Sequence, residues 1–338
     1  KRNSIEADRV FFNTNRTILS CFILWIQPLS SQQSAPSGEA QYHVVHGWPI
    51  LPDGQALGQA TGVGVDSHDN VFVFHRAGRR WSDPFPPDPI KYATIACFDG
   101  KTGRQIASWG EDIFIMPHGL TIDNEDNLWL TDVGRHQVFK FDQDGQLLLT
   151  LGEQKVPGSD EKHFNLPTDV AVLQDGSFYV SDGYGNTRVV RFSAQGEFLF
   201  EWGTPGSAPS EFDLPHGIAV DENGRVFVAD RGNSRIQIFD STGIFLAEWK
   251  RQELGRPYSM AIGTDNSVYV VDGGDQIFPF RSKAIKLTAQ GDVLTQFGRW
   301  GNYDGQFLLA HDIALDSKEA IYVVDAWGQR VQKFVQKR

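Results

Sequence analysis

Three histidines recur at one phase of the chain. Met116-Pro117-His118-Gly119 opens one apolar run, Leu214-Pro215-His216-Gly217 a second and Leu309-Ala310-His311-Asp312 a third. They stand 98 and 95 residues apart, each five residues before an aspartate: Asp123, Asp221 and Asp316. Neutral imidazoles are ready metal ligands. Three of them meeting at one point, with a fourth position open, would hold a catalytic rather than a structural zinc. A lone histidine at such a place more often caps a turn or fills a packing slot. Three of the nine histidines at one repeat phase argue for a shared role. Arg76, Tyr184 and Arg231 stand just beyond the second apolar run of their own copies. Guanidiniums match the fork of a carboxylate, so two of them suit an anionic substrate. A tyrosine beside a metal and two cations is a candidate general base.

These residues need a scaffold that brings distant copies to one axis. Repeat copies begin at Thr61, His118, Thr168, His216, Tyr258 and His311. In each, an apolar run is followed by a turn and a second run, which ends at His75, Asp132, Asp182, Asp230, Asp272 and Asp325 at intervals of 57, 50, 48, 42 and 53 residues. A third and a fourth run follow, as at Arg235–Phe239 and Ile244–Trp249. Four short strands in each unit of about 40–50 residues describe a propeller blade. Six copies predict an all-β, six-bladed β-propeller. Equivalent positions of the blades circle a central channel, so histidines on every second blade converge from directions ~120° apart. Copy six ends at Val335, one strand short, and Tyr42–His46 is expected to supply that strand and close the ring. Two insertions, Arg79–Asp88 and Gly273–Lys283, are the long loops on which substrate contacts tend to sit.

Composition narrows the choices. The 338 residues include 34 glycines and 24 phenylalanines, in keeping with an all-β chain. A formal net charge of −11 argues against a nucleic-acid partner, whose phosphates require a basic face. Two cysteines, Cys21 and Cys97, exclude a disulfide framework and a CxxC metal site. Thr17–Ile26 is a short apolar run behind Arg16, with a Gln/Ser/Pro/Gly stretch after it. Residues 1–40 therefore read as a secretory leader and 41–338 as the propeller, which predicts a secreted or periplasmic protein. The apolar run falls short of the ~20 residues that span a bilayer, so no stable membrane span is expected.

The phrase Phe212 to Asp221 resembles the NHL repeat. The set His118, His216, His311, Arg76, Tyr184 and Arg231 resembles the active site of the peptidyl-α-hydroxyglycine α-amidating lyase family. The resemblance runs from about residue 41 to the end, through Phe74-His75-Arg76, the two Pro-His-Gly segments, Ser181 to Asn186, Ala229-Asp230-Arg231 and His311-Asp312. It implies a zinc on the three histidines, Tyr184 as base, and Arg76 and Arg231 as the groups that orient substrate and stabilise charge. It also implies a structural calcium held by Asp312 and the backbone carbonyls of Val63 and Leu120. The implied reaction cleaves the N–Cα bond of a C-terminal α-hydroxyglycine, on a peptide or an N-acyl group, to an amide and glyoxylate. No copper monooxygenase segment stands before the repeats in this sequence, so a separate hydroxylating enzyme is the expected source of substrate. The two disulfides of the animal enzymes are absent, the matching positions being Asn165, Gly185, Phe227 and Ile238. Two readings from other classes are a calcium-dependent lactonase or hydrolase propeller and a non-catalytic NHL binding propeller. The first would set Glu, Asn and Asp around the axial metal where this chain has histidines.

Overall fold

A computed structural model of the chain describes residues 42–274 and 279–337. The leader and the export reading built on it lie outside the described residues. Six four-stranded antiparallel sheets follow one another in chain order. Their innermost strands are Ala60–Val65, Pro117–Ile122, Pro167–Val172, Pro215–Val220, Pro257–Ile262 and Ala310–Leu315. Each innermost strand contacts those of the blades before and after it, which closes a six-bladed ring. The sixth sheet takes its outer strand from the other end of the described chain. Tyr42–Val44 pairs antiparallel with Arg330–Gln336, His43 opposite Val335, so the ring has no open seam there. Among the described residues no helix is long and apolar enough to cross a membrane.

The strands alternate their side chains between two buried faces rather than between core and water. Val71 and Val73 pack against blade six, while Phe72 and Phe74 pack against blade two. Six such clusters fill the six gaps between blades. This double burial explains why the second runs read as continuous apolar stretches. Two sets of aspartates fasten the ends. Asp66, Asp123, Asp221 and Asp316 close the turn after the innermost strand by accepting N–H bonds from residues two and four further on. The aspartates that end the second strands do a different job. Asp132, Asp182, Asp230, Asp272 and Asp325 accept N–H bonds from the segment that enters their own blade, at 2.5–3.1 Å. His75 stands in that place in blade one and accepts from Ala77 N–H instead. The recurrent aspartates are thus architectural. Among the positions matching the absent disulfides, Phe227 lies directly opposite Ile238 in the ladder, and Gly185 adjoins Asn165.

Candidate active site

The axial residues share one local irregularity. In all six blades the register between first and second strands shifts across the position that holds Thr61, His118, Thr168, His216, Tyr258 or His311. Such a bulge releases a residue from the ladder and re-aims its side chain. The three histidines turn toward one point. Their ring centroids lie 4.8, 4.8 and 5.0 Å apart, and one nitrogen from each falls within 4.8 Å of the others. The side chains are buried, at 1, 2 and 5% exposure for His118, His216 and His311.

The intervening blades aim the rings. Nδ1 of His118 lies 2.7 Å from the carbonyl of Thr168, Nδ1 of His216 lies 2.7 Å from that of Tyr258, and Nδ1 of His311 lies 2.7 Å from that of Thr61. A carbonyl only accepts, so each Nδ1 carries the proton and each Nε2 keeps its lone pair. The glycines of the two Pro-His-Gly segments follow from the same contacts. A Cβ on Gly119 would meet the Thr168 carbonyl at 2.6 Å, and one on Gly217 the Tyr258 carbonyl at 2.6 Å. Any larger residue would push away the acceptor that orients the histidine before it.

Burial pushes His311 down to about 3, with the Arg76 and Arg231 charges adding to the effect. His118 is held well below the usual imidazole range by burial, His311, Arg76 and Arg231, and His216 by burial, His118, His311 and Arg231. The cluster is therefore neutral at physiological pH and offers three inward nitrogen donors. Buried neutral imidazoles with their second nitrogens fixed on carbonyls fit a zinc ion, and His118, His216 and His311 are the residues that would hold it.

Tyr184, Arg231 and Arg76 sit beside the cluster. A main-chain bond places each: the N–H of Arg76, Tyr184 and Arg231 donates to the carbonyl of Gln59, Leu166 and Leu214, two residues before the axial position. The Tyr184 hydroxyl lies 3.1 Å from Nε2 of His118, 3.1 Å from Nε2 of His216 and 3.3 Å from Nη1 of Arg231. Arg231 lies over the Tyr258 ring at 4.1 Å, and its Nε is buried with no acceptor among the described residues. Arg76 is buried too, donating from Nε to the Pro117 carbonyl and from Nη1 to Gln59. Burial lowers it to about 10, which leaves it cationic at neutral pH. Neither guanidinium is a surface ion-pair former. All six residues singled out for the reaction therefore meet at one place.

The residues read as a calcium site lie further along the channel. Val63, Leu120 and Asp312 line a cavity of about 390 Å³, and Asp312 accepts N–H bonds from Val63 and Ile313. A second carboxylate, Asp169, lines the same cavity and escaped the sequence reading. It follows Thr168 as Asp312 follows His311, and blades three and six lie on opposite sides of the ring. The other blades carry Gly62, Gly119, Gly217 and Ser259 at this phase. Burial pushes Asp312 up to about 7, and burial together with the Asp312 charge pushes Asp169 well up. Two opposed carboxylates lining one cavity, Asp312 buried and Asp169 half-buried, fit a hard divalent cation. A further residue missed in the sequence is Trp81, whose ring centroid lies 5.1 Å from that of Tyr184. Its place in the Arg79–Asp88 insertion was the available signal. Residues 275–278 of the other insertion lie outside the described residues.

Fold and site define a six-bladed propeller with a buried three-histidine cluster on its axis, and the NHL repeat model matches residues 114–141, 164–192 and 212–239. The chain belongs to the peptidyl-α-hydroxyglycine α-amidating lyase family. It is 34% identical to peptidyl-α-hydroxyglycine α-amidating lyase 2 of Drosophila melanogaster over 301 residues, 83% of this chain and 71% of that one. It is 35% identical to peptidyl-glycine α-amidating monooxygenase B of Xenopus laevis over 91% of this chain, but spans only 37% of that longer protein. Among solved structures, a gluconolactonase from Xanthomonas campestris superposes with a TM-score of 0.59 at 15% identity, over 89% of this chain and 90% of that one. At that identity the likeness concerns the fold alone.

Proposed function

We propose that the protein is a zinc-dependent lyase that cleaves a C-terminal α-hydroxyglycine, peptidyl or N-acyl, into an amide and glyoxylate. The observation that carries this reading is the meeting of Tyr184 Oη with His118 Nε2, His216 Nε2 and Arg231 Nη1 at the buried histidine cluster. A carbinolamide falls apart when its hydroxyl proton is removed and its nitrogen can leave. Zinc on His118, His216 and His311 would supply Lewis acidity toward the substrate hydroxyl. Tyr184 takes the hydroxyl proton, the C–O bond becomes the aldehyde of glyoxylate, and the N–Cα electrons leave on the amide nitrogen, which receives that proton back from Tyr184. Arg76 and Arg231 hold the carboxylate and the charge that develops, in a site poor enough in water for those charges to act strongly. Asp312, with Asp169 opposite, would hold a structural calcium together with the backbone carbonyls of Val63 and Leu120.

The protein works outside the cytoplasm, in keeping with the leader-like residues 1–40. The test is purified protein incubated with an N-acyl-α-hydroxyglycine, with amide and glyoxylate quantified alongside elemental analysis. Equimolar products and bound zinc and calcium are expected. Calcium alone with no glyoxylate would return the chain to the lactonase-like reading, and neither metal to the binding-propeller reading.

A further inference from the structure

The carbon that reacts carries three non-hydrogen substituents. The carboxylate faces the arginines and the hydroxyl faces Tyr184, so the third, the acylated nitrogen, must run away from both. The insertion Arg79–Asp88 borders the reacting groups, its Trp81 lying against both Tyr184 and Arg76. It is a pinned loop: Arg79 Nη1 donates to the carbonyls of Asp88 and Ile115 at 2.7 and 2.8 Å, and Lys155 Nζ donates to that of Pro87 at 2.6 Å. Phe85 packs among Ile115, Met116 and Val133 beside Tyr184. On that base stands Trp81, 4.9 Å from Phe85 edge-to-face and 5.1 Å from Tyr184, with the Arg76 guanidinium 5.2 Å from its ring. Trp81 thus touches two groups of the reaction, yet it remains 41% exposed while Arg76 is buried. A fixed indole with one surface on the reacting groups and another open makes a binding wall: it is large, apolar and loses little entropy on contact.

We propose that Trp81, seated on Phe85, is the subsite for the group acylating the substrate nitrogen, and that it selects an aromatic or other large apolar side chain in the residue before the α-hydroxyglycine. The proposal rests on the lyase reading above. The side chain packs against the open part of the indole, and a substrate without one leaves that surface wet.

The experiment compares N-acetyl-Phe-α-hydroxyglycine with N-acetyl-Gly-α-hydroxyglycine on wild type, Trp81→Ala and Trp81→Phe. Wild type is expected to prefer the Phe substrate by at least ~10-fold in kcat/KM, chiefly through KM. Trp81→Ala brings the two substrates within ~2-fold of each other, and Trp81→Phe keeps most of the preference. Equal losses on both substrates in Trp81→Ala, with the wild-type ratio retained, would show a prop for Tyr184 and Arg76 and overturn the proposal. So would a wild type indifferent to the side chain. Glyoxylate from neither substrate in wild type overturns the lyase reading itself, and this proposal with it.

Discussion

His118 Nδ1 and the Thr168 carbonyl lie 2.7 Å apart although they belong to neighbouring blades. The relation repeats from His216 to Tyr258 and from His311 to Thr61. Each ligand candidate is aimed by the blade that lacks one, so the orientation of the cluster is a property of the closed ring. No single blade could hold its histidine in this pose alone.

His216→Ala removes one of three donors and leaves the interblade cores untouched. The variant should purify as a folded propeller and lose stoichiometric zinc on dialysis, with glyoxylate release falling at least ~100-fold. Metal content by mass spectrometry, read beside circular dichroism, checks this. Zinc retained at one per chain would remove His216 from the ligand set.

Tyr184→Phe deletes only the hydroxyl that faces His118, His216 and Arg231. The expected loss in kcat is ~10²–10⁴-fold, the usual range for a general base, with zinc content unchanged. Full activity would end the assignment of Tyr184 as base.

The histidine cluster sets a pH signature in metal-free protein. Burial and the nearby arginine charges hold His311 at about 3 in the fold, below the ordinary imidazole value of 6.5, so between those limits the unfolded chain binds more protons than the native one. The stability linked to His311 is complete above pH 6.5 and is lost as pH falls toward 3. Wild type should therefore lose stability relative to His311→Gln over this window in urea titrations. A difference between the two proteins that stays constant with pH would contradict the buried, neutral imidazole.

Asp312 carries the opposite sign. Its value in the fold is raised to about 7, so its favourable contribution is present at low pH and fades as pH rises through 7. Above that pH the Asp169 and Asp312 charges oppose each other across the channel, and a cation has the most to offer. Calcium should raise the melting temperature by several degrees at pH 8, about 2–4 °C for each kcal/mol of binding free energy. The gain should be smaller at pH 5 and absent in Asp312→Asn. An equal calcium response in that variant would place the ion elsewhere.

Much of this was legible along the chain. Repeat spacing alone placed the six blades, the closing strand near Tyr42 and the three histidines at one phase, because a propeller turns sequence period directly into angular position. The same logic missed Asp169. Its partnership with Asp312 appears only when copy three is set opposite copy six, a relation that adjacent repeats do not display. Thr61, Thr168 and Tyr258 were visible as the other members of the axial ring, but they act through main-chain carbonyls, which leave no mark in side-chain identity. Gly119 and Gly217 record that contact indirectly, as the space a carbonyl needs. Trp81 was hidden because the path of its loop is set by the Arg79 and Lys155 bonds to distant carbonyls, and insertions carry no periodicity to read.

The most direct test of the account is a zinc titration of protein stripped by a chelator, followed through glyoxylate release from an α-hydroxyglycine substrate. Activity is expected to be absent at the start, to rise in proportion to added zinc and to break at one equivalent per chain. Activity that survives full removal of metal, or that stays absent at full zinc occupancy, would contradict it.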